Sequence, residues 1–84
     1  MKRGTQIIYV PLHADGPDHP DAEPGFVTSG GHEGFKFAFC RYWSKAYPGE
    51  LRTKLNSERT PTCALIMRDS VDQARIEEAL LQYC

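Results

Sequence analysis

The chain has 84 residues with 40% hydrophobic and 25% charged positions and a net charge of −1, enough for one modest globular domain and too few for two. No apolar run approaches the ~20 residues of a membrane helix, and Met1-Lys2-Arg3-Gly4 leads into a strand-like run instead of a signal-peptide core, so a soluble cytoplasmic protein is expected. Cys40, Cys63 and Cys84 are widely spaced, odd in number and form no C-x-x-C pair, which argues against a disulfide framework or a zinc knuckle.

Gln6-Ile7-Ile8-Tyr9-Val10 is β-branched and aromatic, ends at Pro11, and predicts a first strand. A long connection follows from Pro11 to Pro24, a length that usually means a functional or self-packed loop. Gly25-Phe26-Val27-Thr28 predicts a short second strand, and Ser29 to Gly34 a glycine-rich hairpin loop. Phe35 to Trp43 is the clearest strand. Phe35, Phe37, Phe39, Arg41 and Trp43 share one face, and the three phenylalanines at period two predict that face as the core.

Pro48-Gly49 marks a turn, Glu50 to Lys54 predicts a polar edge strand, and Asn56 to Pro61 an irregular stretch. Cys63 to Met67 predicts a fifth strand. A helix is expected to follow Asp69, with Ser70 and Gln73 spaced as a capping box. Ile76, Ala79, Leu80 and Tyr83 form its apolar stripe, which either docks on the sheet or seams a weak homodimer. Five short strands and one terminal helix, in a chain too small for two layered sheets, predict a strongly bent antiparallel sheet closed on itself.

Several segments carry a family signature. Ile8-Tyr9-Val10-Pro11-Leu12-His13-Ala14-Asp15-Gly16 is followed by His19-Pro20-Asp21-Ala22-Glu23 and Gly25-Phe26-Val27-Thr28-Ser29. Phe39-Cys40-Arg41-Tyr42-Trp43 and Glu50 to Glu58 complete the pattern. Over residues 5 to 67 the chain resembles a group of small uncharacterised tailed-phage and prophage proteins. That resemblance implies a five-stranded SH3-like or KOW-like barrel in a bacterial host cell, and it transfers no catalytic residue. Ala22 stands where relatives often carry a cysteine, which weakens any metal role carried over from them.

His13 through Glu23 pack two histidines and four carboxylates into eleven positions. His13, Asp15, His19 and Asp21 offer the nitrogen and oxygen ligands of a divalent ion, but their spacing matches no standard module. The competing and favoured reading is that they hydrogen-bond the loop's own backbone, with the prolines locking it. No cofactor and no enzymatic activity are expected, since a small barrel lacks a deep, water-excluding pocket to tune acid and base groups.

Two binding surfaces follow. The first is a protein-binding groove of the SH3 type, between the long loop and the second hairpin, drawing on Tyr9, Asp15, Asp18, Glu23, His32, Tyr42 and Trp43. The alternative is nucleic-acid binding by Arg41, Lys45, Tyr47, Arg52, Lys54 and Arg59, where cations interleave with aromatics. Against the alternative, the sequence pI of 6.3 is far from basic. Residues 34–68 are basic and residues 13–33 acidic, a segregation that either marks a partner surface or is satisfied inside the fold.

Overall fold

The computed structural model of the chain describes residues 1–31, 34, 36–44, 47, 50–52 and 57–83. Five strands, β1 (Gln6–Tyr9), β2 (Glu23–Gly30), β3 (Phe37–Tyr42), β4 (Glu58–Pro61) and β5 (Leu65–Met67), precede a helix, α1 (Gln73–Tyr83). A single turn of 3₁₀-helix, Thr62–Ala64, joins β4 to β5. All pairings are antiparallel, in the order β4-β3-β2-β1-β5. The protein is thus mainly β: an open five-stranded sheet with one C-terminal helix. The sheet is curved enough that Tyr9 of β1 and Thr60 of β4 line the same pocket.

Each face of this sheet buries its own cluster. On the concave side Ile7, Val27, Ala38, Cys40 and Tyr42 pack together, flanked by Met1, Tyr9 and Leu65. On the convex side Ile76 and Ala79 of α1 cover Phe26 and Trp43, with Leu51, Val71 and Leu80 around them. Ile76, Ala79 and Leu80 of the helix's apolar stripe therefore dock on the sheet, and the Tyr83 side chain lies outside the described residues. At Gly25 the strands approach so closely that a Cβ would lie 2.1 Å from the Arg41 carbonyl oxygen, so only glycine fits there.

The face assignment of β3 differs from the sequence expectation. Phe37 and Phe39 are 38% and 41% exposed, while Ala38 and Cys40 are fully buried. The inside of so small and bent a sheet has room for alanine and cysteine beside Val27 and Ile7, and none for a row of phenylalanines. Phe37, Phe39, Arg41 and Trp43 share the convex face by strand alternation. The 11-residue helix, about 16 Å long, covers Trp43 and leaves the phenylalanines open. Phe35 lies outside the described residues.

Three boundaries also shift. The stretch read as irregular supplies β4, which pairs with β3 along Phe37↔Pro61 to Cys40↔Glu58; Pro61 sits there because an outer strand can spare an N–H. Of the expected strand Glu50–Lys54 the described residues, 50–52, form a bridge between Trp43 and Leu51, with Arg52 N donating to the Tyr42 carbonyl at 2.8 Å; Thr53 and Lys54 lie outside the described residues. The capping box does not form, because Ser70 N donates instead to Gln6 Oε1 at 2.9 Å. No helix among the described residues is long and apolar enough to cross a membrane.

Candidate functional site

The long first loop is closed at its base by the pairing of Tyr9 with Glu23. Inside it the backbone makes successive tight turns. Ala14 N donates to Pro11 O at 2.9 Å, His19 N to Gly16 O at 3.2 Å, and Ala22 N to His19 O at 2.9 Å. Proline at 11, 17, 20 and 24 fixes φ along the same stretch. From outside, Arg68 Nη1 donates to Asp18 Oδ1 at 2.9 Å and ties the loop to the end of β5.

Two histidines and one aspartate gather within this frame. His13 Nε2 lies 2.6 Å from Asp21 Oδ2. Asp21 N donates to His19 Nδ1 at 3.0 Å. The two imidazoles meet edge to face, with ring centres 5.5 Å apart. One ligand atom from each of His13, His19 and Asp21 lies within 4.8 Å of the others. Asp15 stays outside the group, so three of the four residues named as metal candidates converge. His19 also bonds the loop's backbone through Asp21 N, whereas His13 bonds the Asp21 side chain.

Tyr9, Glu23 and Tyr42 meet beside the base of the loop, in a half-open groove of about 180 Å³ shared with β4. The Tyr42 hydroxyl and Thr60 Oγ1 are 2.8 Å apart and hydrogen-bonded. Arg52 spans the groove's two carboxylates, donating Nη1 to Glu23 and Nη2 to Glu58. Its guanidinium also stands 5.3 Å from the centre of the Tyr42 ring. Burial pushes the Cys40 thiol up to about 11 and the Tyr42 phenol up as well, so both are protonated at neutral pH.

The remaining groove candidates separate. Asp15 and Asp18 do not line this pocket. Trp43 packs on Phe26 under α1, 5% exposed, on the opposite face of the sheet. His32 lies outside the described residues. Two surface ion pairs join the acidic loop to the basic middle of the chain, Arg52 with Glu23 and Arg68 with Asp18.

The described members of the basic set stand in different settings. Arg41 is 1% exposed, a correction to its reading as a surface cation, because the convex face closes over that end of β3. Arg52 is held between two carboxylates. Lys45 and Lys54 lie outside the described residues, and Tyr47 is exposed. Arg59 stacks over Phe37, 4.0 Å from the ring centre.

That last contact belongs to a surface the sequence reading missed. Phe37, Phe39, Lys36 and Arg59 surround an open, largely apolar depression of about 530 Å³, floored by Gly30 and Gly34. Its one signal in the sequence is the pair of small residues, Ala38 and Cys40, alternating with the phenylalanines.

No family model, no curated protein and no solved structure matches the chain.

Proposed function

We propose that the chain is a non-enzymatic binding module on an SH3-like barrel, an accessory protein of the phage and prophage group it resembles, working in a bacterial host cell. The strand order, with a 3₁₀ turn between the last two strands, supports that reading of the fold. Its protein partner docks in the groove of Tyr9, Glu23 and Tyr42, beside the first loop.

The observation that carries this is the convergence of those three side chains from three different strands onto one groove. Tyr9 and Tyr42 meet edge to face at 6.3 Å, and two carboxylates share one guanidinium below them. Such a surface suits an extended, proline-containing segment, whose rigid backbone packs against the aromatic walls.

The test is capture from bacterial lysate with and without nuclease, using the wild type, Tyr9→Ala and Glu23→Gln. Nuclease-resistant capture of a discrete protein that both variants lose supports the groove. Capture unchanged in both variants refutes it.

A second reading is nucleic-acid binding, and the exposed face of Phe37 and Phe39 favours it. Aromatics on which bases stack, beside Lys36 and Arg59 for phosphates, form a single-strand platform. Here the platform sits on β3 and β4 and takes Arg59 alone from the described members of the 41–59 set. Binding of a short oligonucleotide that weakens with salt and with Phe39→Ala supports this reading, and no binding at low salt removes it.

A further inference from the structure

We propose that His13, His19 and Asp21 form a binding site for one late first-row divalent cation, zinc above all, on the first loop. The donor set is the first argument. Two imidazoles and one carboxylate are borderline ligands that suit zinc and its neighbours, while calcium and magnesium take oxygen-rich sets.

Spacing is the second. Ligands of a tetrahedral zinc, at bond lengths near 2.1 Å, stand about 3.4 Å apart. The three donor atoms already lie within 4.8 Å of one another. Entry of the ion needs the His13 and Asp21 side chains to part slightly from their 2.6 Å contact and His19 to swing inward. His13 and Asp21 are exposed and His19 half-buried, so these rotations meet no core packing.

The third argument is preorganisation. The donors sit on a segment held by three backbone turns and by Arg68, so little chain entropy is left to lose on binding. Asp21 N, at 3.0 Å from His19 Nδ1, now fixes that ring; an ion bound through the ring's one free lone pair displaces this hydrogen bond and holds the ring in its place. With three protein ligands, at least one coordination position is left to water or to a donor from a partner. The site is therefore an exchangeable one, unlike a closed structural zinc. It stands apart from the Tyr9–Tyr42 groove in residues and in chemistry, and holds whether or not that groove takes a peptide.

The experiment titrates zinc chloride, and separately cobalt chloride, into chelator-treated full-length protein, with calorimetry and cobalt absorbance as readouts. The expected result is saturation at one equivalent. His13→Ala, His19→Ala and Asp21→Asn are each expected to weaken binding more than ~10-fold, while Asp15→Asn leaves it unchanged. Circular dichroism without metal shows which variants stay folded. If all three unfold, imidazole proton resonances of the wild type decide, since zinc must move those of His13 and His19. Absence of one-equivalent saturation, equal affinity in folded variants, or unmoved His13 and His19 resonances overturns the site.

Discussion

Gln6 on β1 and Val71 at the approach to α1 bond each other in both directions. The Gln6 amide donates from Nε2 to the Val71 carbonyl at 2.8 Å, and its Oε1 accepts from Val71 N at 3.0 Å. A third bond, from Ser70 N at 2.9 Å, ends on the same oxygen. One buried side chain thus stands in for the local cap and fixes the helix over the sheet. Gln6→Leu strands the amide groups of Ser70 and Val71 and is expected to cost about 2–4 kcal/mol, measured by urea unfolding. A loss under ~1 kcal/mol would show that the helix start is held by something else.

The two convex phenylalanines give the sharpest contrast. Truncating a core phenylalanine typically costs about 3–5 kcal/mol, and Phe26→Ala is expected to fall in that range because Phe26 is fully buried against Trp43 and α1. Phe37→Ala and Phe39→Ala, a third or more exposed, are expected to cost ~1 kcal/mol or less. Thermal melts of the three variants decide between this surface and a core on that face.

Alkaline pH should weaken the fold. Cys40 has an ordinary value of 9.0 and is pushed up by burial to about 11, and burial raises Tyr42 from 10.0. Both acids hold their protons more tightly in the folded state. Their contribution is therefore complete below pH 9 and is lost as pH rises through the folded value of Cys40, about 11. Denaturant midpoints measured between pH 8 and 11 should decline, and Cys40→Ala should flatten part of that slope. In the native state at pH 8 a thiol reagent is expected to modify exposed Cys63 and spare buried Cys40.

Arg52 joins β2 to β4 through Glu23 and Glu58 across the mouth of the groove. Its side chain is 37% exposed, so solvent screens both pairs and Arg52→Ala should cost only about 0.5–1 kcal/mol. That difference should vanish in 1 M salt, where the screening length shrinks to about 3 Å. A salt-independent loss would mean that Arg52 acts through packing on Tyr42 instead.

Much of this architecture was legible locally. β-branched residues before Pro11 marked β1, the prolines from 11 to 24 marked a fixed loop, and the Ile76–Ala79–Leu80 spacing marked a docked helix. Other features depended on distant partners. Alternation showed which β3 residues share a face but not which side an 11-residue helix would cover. β4 was hidden because Glu58-Arg59-Thr60-Pro61 has no apolar run, as suits an outer strand. Ser70 and Gln73 had the spacing of a cap, yet Gln6 captured Ser70 from 64 positions away. At the site, the convergence of His13, His19 and Asp21 followed from their loop, whereas the scattering of Trp43 and Arg41 onto the helix side did not.

The sheet's two outer strands, β4 and β5, are almost adjacent in the chain, while β5 pairs with β1 from the opposite end. During synthesis β1 emerges before the other four strands and finds β2 early, across the first loop. Its other edge then waits for residues 65–71, which are made after all four other strands. The hairpins of β2, β3 and β4 assemble from sequence neighbours; closing β5 onto β1 and seating Val71 on Gln6, 65 positions away, are long-range steps with a larger loop-closure cost. Until then β1 presents an unpaired apolar edge, the segment of a nascent chain most prone to pair with a neighbour.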